Sequence, residues 1–71
     1  PLAYLTEWRM ALARELLRDG DDGLAAIAGA VGYSSEFSFA AAFKRHQGVA
    51  PGRWRTEARA RAGAGPTSAA G

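Results

Sequence analysis

Cysteine is absent from the 71-residue sequence, and its absence limits how the chain can be stabilised. Without thiols the chain has neither a disulfide bridge nor a thiolate ligand for a structural metal ion. A chain of this length forms one small domain, whose single core removes little surface from water. Because disulfides are rare in reducing compartments, their absence favours a cytoplasmic protein.

Long apolar runs are missing as well. No stretch approaches the roughly 20 apolar residues that span a bilayer. No basic segment followed by an apolar one marks a secretion signal at the N-terminus. His46 is the only histidine, and no arrangement of serine, histidine and acid suggests a nucleophilic site. We therefore expect no membrane partner, no catalytic residues, no cofactor and no metal site.

Charge is divided unevenly along the chain, although the net charge is only +2. The residues up to Glu36 include three arginines and six acidic residues, whereas the rest contain six cations and one acidic residue. A basic second part fits a polyanionic partner such as DNA. The alternative is a solvated tail, since Arg59 and Arg61 lie near the end, and it accounts for part of the asymmetry.

The beginning of the chain has helical periodicity. Its apolar stripe consists of Leu5, Trp8, Leu12 and Leu16, widened by Ala13 and Leu17. This spacing predicts a helix over about residues 2–18. The acidic and glycine-rich residues 19–23 end the helix and supply a cap for the next one. They lack the spacing of a calcium-binding loop, so we interpret them as a connector.

Two shorter helices are predicted next. Residues 23–31 form the second helix, and Gly32 follows it with a backbone that tolerates positive φ. Ser34 and Ser35 offer hydroxyl caps for a third helix, which runs to about Gln47. The sequence therefore predicts an all-α chain.

The last part of the chain is predicted to be only partly ordered. Gly48 ends the third helix, and Pro51 suits the first position of a short last helix that carries Trp54. Residues 62–71 contain nothing to bury and predict a disordered tail. The folded domain should therefore occupy residues 1–61.

The spacing around the second and third helices is typical of a helix-turn-helix. Ala28 supplies a small residue where two helices cross closely, and Gly32 permits the tight turn between them. Phe39 and Phe43 then pack inward, leaving the opposite face of the third helix free to enter a major groove. An ordinary helical hairpin has similar spacing, and the spacing alone does not separate the two interpretations.

These residues belong to a longer pattern. It consists of Ile27, Ala28, Val31, Gly32, Tyr33, Ser35, Phe39, Phe43, Lys44, Gly48, Pro51, Trp54 and Arg55. An upstream pattern precedes it, formed by Tyr4, Leu5, Trp8, Arg9, Met10, Ala13, Leu16 and Leu17. The first pattern resembles the signature of the AraC/XylS transcription regulators, and the second resembles the linker helix of their DNA-binding domain.

The resemblance implies a specific architecture. The family's DNA-binding domain contains two helix-turn-helix units joined by the linker helix, and this sequence matches the linker helix and the second unit. We therefore expect a linker helix, a homeodomain-like tri-helical unit and a piece of a longer regulator. Part of the linker helix should be exposed, with Leu2, Tyr4, Leu5 and Trp8 as candidates. An exposed apolar patch of this kind favours self-association.

The resemblance also makes the third helix the recognition helix. Its expected outward residues are Glu36, Phe37, Ala40, Ala41 and Lys44. Among them, Glu36 is a candidate acceptor for a cytosine amino group, and Phe37 or the alanines are candidates to contact a thymine methyl. The candidates for phosphate contacts are Lys44, Arg45, Arg53, Arg55, Ser35 and Ser38. Each has a structural alternative: a helix cap for Ser35, the first helical turn for Ser38, a favourable helix-end charge for Glu36, packing for Phe37, and a solvated basic face for the cations.

Several residues depart from the family pattern. Ala40 and Ala41 stand where a polar residue and an arginine are usual, which removes an expected base or phosphate contact. Gln47 replaces a common aromatic residue, and Ala50 replaces a capping serine. Arg9 matches a position that is often basic, and we expect it to form a structural salt bridge.

These observations predict a module of a bacterial transcription regulator that binds double-stranded DNA. RNA polymerase near a promoter is a second expected partner. The alternative function is protein interaction, in which Phe37, Ala40 and Ala41 form an apolar surface for polymerase or another subunit. In that case DNA specificity would belong to the first unit.

Overall fold

Four α-helices form the computed structural model, which describes the backbone of residues 2–70 and the side chains of residues 4–62. They are α1 (Leu2–Asp19), α2 (Leu24–Ala30), α3 (Glu36–Gln47) and α4 (Pro51–Ala70). Over this backbone there is no β-strand, so the all-α prediction is confirmed. Among the same residues, no helix has both the length and the apolar character that a membrane crossing requires.

The side of α1 that faces the core coincides with only part of the predicted stripe, namely with Ala13 and Leu17. Met10, Ala13 and Leu17 are fully buried, whereas Leu5 and Trp8 at the start of the predicted stripe are exposed. The other two members of that stripe are only half-buried. Apolar residues cover two adjoining sides of α1, and the rest of the chain packs mainly on one of them. Periodicity alone did not identify that side.

The connector, residues 19–23, supplies the residue that caps the start of α2, as predicted. Gly23 occupies the N-cap position with an extended backbone, and no side chain hydrogen-bonds there. Asp22 stands one residue before the capping position, so the cap is the glycine and not an acidic side chain. The Gly23 carbonyl accepts the first helical bond from the Ile27 N–H at 3.1 Å.

The turn between α2 and α3 has the predicted conformation. Gly32 adopts φ +95°, in the left-handed region that favours glycine. The Tyr33 N–H donates to the Ala28 carbonyl at 2.8 Å and closes the turn. The Ser35 side chain then caps α3 by accepting from the Ser38 N–H at 3.0 Å. Both the glycine turn and the Ser35 cap are therefore confirmed.

An aromatic row holds α3 against its neighbours. Phe39 and Phe43 are fully buried, as predicted. Their ring centroids lie 5.7 Å apart, and they continue the row to Tyr33 at 5.8 Å and to Trp54 at 5.9 Å. Pairs at such distances contribute about 0.5–1.5 kcal/mol each beyond area burial. The row therefore fixes the orientation of α3 relative to the turn and to α4.

The last helix begins where the sequence predicted but is longer. Pro51 is its first residue, and the Ala50 carbonyl accepts from the Trp54 N–H at 2.9 Å. Alanine and arginine, both good helix formers, dominate residues 58–62, so the sequence has no stop signal there. The predicted disordered tail, residues 62–71, falls almost entirely beyond the last described side chain. The division into residues 1–61 and 62–71 therefore stays a prediction.

Candidate nucleic-acid interface

One side of α3 is open to solvent and combines apolar with basic side chains. Phe37 is 85% exposed, and Ala41, Lys44 and Arg45 are exposed on the same side. Residues three and four apart share a side of a helix, which aligns these four along it. We call them the outer face of α3. Ala40, which the sequence also assigned outward, lies half-buried at the edge of this face.

The hydroxyl groups at the start of α3 hydrogen-bond to each other and to the backbone. The Ser35 hydroxyl donates to Ser38 Oγ at 3.2 Å, and the Ser38 hydroxyl donates to the Ser35 carbonyl at 3.0 Å. Both hydroxyl protons are thus used within the helix cap. Glu36 is exposed in this first turn, where the helix dipole favours a negative charge. These bonds fit the structural alternatives for the two serines, a helix cap for Ser35 and the first helical turn for Ser38.

The other end of α3 is basic. Lys44, Arg45 and His46 occupy its last turn, where cations complement the helix dipole. Gly48 ends the helix with φ +89°, and its N–H donates to the Lys44 carbonyl at 2.8 Å. Lys44 and Arg45 thus project from a rigid helix end. Among the described residues, neither forms a salt bridge within 4 Å.

Arg55 occupies a different environment from the outer face of α3. Its guanidinium is half-buried and donates to the Leu17 carbonyl at 2.9 Å and to the Gly20 carbonyl at 3.4 Å. These carbonyls belong to the end of α1 and to the connector, where no helical N–H remains to bond them. Arg55 therefore joins α4 to α1, with two of its three nitrogens bonded to carbonyls.

Arg59, which was not among the predicted site residues, extends this contact. It donates to the Gly20 carbonyl and lies 3.4 Å from an Asp21 carboxylate oxygen. Its position one turn after Arg55 was the available signal, since residues four apart lie on the same side of a helix. The two arginines together hold the end of α1.

Arg53, the remaining phosphate candidate on α4, is exposed and paired with Glu57. The two side chains are one helical turn apart, and the Arg53 Nε atom lies 2.9 Å from the carboxylate. Such an exposed pair contributes only about 0.3–0.5 kcal/mol. Of the two α4 candidates, Arg53 is thus exposed and Arg55 is bonded to the end of α1 and the connector.

Arg9 does not form the predicted salt bridge. Within residues 4–62, the ion pairs are Arg18 with Asp19, Arg53 with Glu57, and Arg59 with Asp21. Instead, the Arg9 guanidinium carbon lies 5.5 Å from the centre of the Tyr33 ring. Its side chain also fills the space beside Gly32, where an added Cβ would stand 3.3 Å from it. The expectation failed because no acidic side chain lies at the turn that Arg9 covers.

The resolved pKa shifts occur away from α3. A hydrogen bond from Arg18 lowers the pKa of Asp19 from its ordinary value of 3.8. The same contact raises the pKa of Arg18. Both side chains are exposed at the end of α1, so this is a surface ion pair. Over the described part of the chain, no three His, Cys, Asp or Glu side chains meet to form a metal site.

The chain is similar in sequence to known helix-turn-helix proteins. A family model described as a helix-turn-helix domain matches residues 1–57. The chain is 53% identical over 55 residues to an AraC-like transcription regulator of Streptomyces lividans, an alignment that covers 78% of this chain and 18% of that protein. It is 44% identical over 57 residues to the HTH-type transcriptional regulator AlkR of Acinetobacter baylyi, covering 80% of this chain and 19% of AlkR. The chain thus spans about a fifth of the length of these relatives.

A solved structure shares the same fold. It is the crystal structure of the DNA-binding domain of the global transcriptional factor AdpA in complex with a target DNA. The match has a TM-score of 0.80 and 33% sequence identity, and it covers 86% of this chain and 55% of that chain.

Proposed function

Because the chain belongs to the helix-turn-helix domains of the AraC-type transcription regulators, we propose that it binds double-stranded DNA through α3. In this proposal α3 enters the major groove, which is about 12 Å wide and admits one helix. Lys44 and Arg45 contact phosphates at the groove wall. The observation that carries the proposal is the outer face of α3, exposed, basic at one end and held rigidly by buried Phe39 and Phe43.

The environments of the cations support a smaller set of phosphate contacts than the sequence predicted. Lys44 and Arg45 keep exposed charges on the same helix, whereas Arg55 is half-buried and donates to the carbonyls of Leu17 and Gly20. Arg53 is engaged by Glu57 in a pair that solvent weakens. We therefore assign the principal phosphate contacts to Lys44 and Arg45, with Arg53 as a subsidiary contact. Binding by these cations should depend strongly on salt.

The salt dependence gives the first test. Each phosphate contact contributes about 0.9 to the slope of log K against log salt concentration, because binding releases counterions. The double variant Lys44→Gln and Arg45→Gln should bind duplex DNA more weakly and reduce that slope by about 2. Fluorescence anisotropy with a labelled duplex at several salt concentrations measures both quantities.

A matched control uses Arg18, an exposed arginine in the last turn of α1. Arg18→Gln removes one charge away from α3 and should leave the slope nearly unchanged. Equal losses in all variants would mean that overall charge, rather than the outer face of α3, governs binding. Unchanged binding by the double variant would contradict the proposal.

Sequence selectivity is tested separately by enriching bound duplexes from a random library at about 0.1 M salt, where phosphate attraction is already partly screened. Recovery of a common short motif would support sequence reading by this part of the regulator. Recovery of no motif would restrict α3 to supporting contacts. For the whole regulator, we propose action in the bacterial cytoplasm, where its DNA target lies, and RNA polymerase as a further partner.

The exposed ring of Phe37 favours a second candidate function, which is docking to a protein such as RNA polymerase or another subunit. An apolar protein contact would change little when Lys44 and Arg45 are replaced. The same double variant therefore discriminates between the two functions.

A further inference from the structure

We propose that the outer face of α3 recognises the 5-methyl groups of pyrimidines, as in thymine and 5-methylcytosine, and that Phe37 sets this preference. The inference rests on the proposed docking of α3 in the major groove. It adds the chemical group in the groove that α3 would recognise.

The chemistry of the face supports an apolar target. Phe37 and Ala41 carry no hydrogen-bonding group, and the hydroxyl protons of Ser35 and Ser38 are used within the helix cap. No amide or guanidinium side chain lies in the first turn of α3 beside Phe37, so this end of the helix offers no bidentate hydrogen bond to a purine edge. The apolar group on the floor of the major groove is the pyrimidine 5-methyl. A ring that is 85% exposed gains by covering it.

The charges around Phe37 orient the two ends of α3 differently. Glu36 stands beside Phe37 in the first turn, and its carboxylate repels phosphate. Lys44 and Arg45 stand in the last turn and attract it. The first turn of α3, with Glu36 and Phe37, therefore faces the bases, whereas its last turn faces the phosphate backbone of the DNA. The same pattern favours duplex DNA over an uncharged apolar protein surface as the occupant.

The helix geometry sets the spacing of the recognised groups. Phe37 and Ala41 are four residues apart, which is about 6 Å along a helix axis. Bases within one strand of duplex DNA are separated by about 3.4 Å. The two side chains therefore reach methyl groups about two base steps apart. A 5-methylcytosine offers Phe37 the same methyl group that a thymine does.

Two pairs of synthetic duplexes isolate the methyl group. Alternating poly(dA-dT) is compared with poly(dA-dU), which lacks only the 5-methyl, and alternating poly(dG-dC) is compared with its 5-methylcytosine form. The 71-residue chain should bind the methylated member of each pair more tightly. The expected factor is about fourfold per methyl contacted, which corresponds to ~0.8 kcal/mol at 1.4 kcal/mol per tenfold.

Phe37→Ala should reduce the methyl preference to near unity while keeping salt-dependent binding. Tyr4→Ala is the matched control, because Tyr4 is also an exposed aromatic residue but lies on α1. It should leave the preference intact. Equal binding of both members of each pair by the unsubstituted chain, with normal salt dependence, would overturn the methyl inference and leave DNA binding in place. No binding to any of the four duplexes would overturn the proposed function and this inference together.

Discussion

The residue that precedes a helix affects the stability of its first turn, and α3 and α4 differ in this respect. Ser35 caps α3 through its side chain, whereas α4 begins after Ala50, which has no hydroxyl to offer the free N–H groups of the first turn. In the family pattern that the sequence resembles, a serine stands at the position of Ala50. The chain therefore lacks one cap that its fold could accommodate.

Ala50→Ser should restore this cap and raise the free energy of unfolding by about 1 kcal/mol. Urea denaturation followed by circular dichroism measures the change. Ala60→Ser makes the same replacement at an exposed position within α4 and should destabilise slightly, because serine is a poorer helix former than alanine. A variant at position 50 no more stable than the original chain would show that water already satisfies these N–H groups.

At the scale of helices, α1 and α4 are joined by polar contacts as well as by packing. The Arg55 guanidinium bonds two carbonyls near the end of α1, and Arg59 reaches one of them. The carbonyls at a helix end have no helical partner, so a charged donor there satisfies groups that are otherwise left to water. The orientation of the linker helix relative to the helix-turn-helix thus depends on α4.

Arg55→Gln should lower the free energy of unfolding by about 2 kcal/mol, because charge-assisted hydrogen bonds are lost at a half-buried site. Arg53→Gln, two residues away but exposed, should cost only about 0.5 kcal/mol. Thermal and urea unfolding of both variants gives the comparison. Similar small losses in the two would mean that the Arg55 bonds are no stronger than a surface pair.

For the whole molecule, the notable surface besides α3 is the outer side of α1. Tyr4 is 74% exposed and Trp8 is 56% exposed, with Leu5 partly exposed between them. The exposure of these three was expected from the resemblance, while Leu2 lies outside the described side chains. Uncovered apolar patches of this kind favour association.

We expect the isolated 71-residue chain to self-associate through this side of α1 as its concentration rises. Sedimentation velocity should show an average mass increasing above 7.4 kDa. The double variant Tyr4→Gln and Trp8→Gln should remain monomeric at the same concentrations. Phe37→Gln serves as the control on the other exposed aromatic side chain. If Phe37→Gln were monomeric instead, the association would occur through α3. An unsubstituted chain that stays monomeric at every concentration would contradict the prediction.

Much of the fold was predictable because its signals are local. The Gly32 turn, the Ser35 cap and the Pro51 helix start each depend on residues within a few positions. The candidate site was predictable in part: helical spacing placed Phe37 and Lys44 on one exposed side. The same spacing assigned Ala40 outward, although it lies half-buried at the edge of that side.

The sequence by itself determined the helices, the turn between α2 and α3, the two buried phenylalanines and the family. Caps, turns and helical periodicity depend on residues close together in the chain, so the amino-acid sequence is enough to predict them. Only the tertiary structure decided that Met10 faces the core, that Arg9 covers Tyr33, and that Arg55 bonds α1. An arginine is long and flexible, and Leu17 lies 38 residues away from Arg55, so packing alone brings these two together.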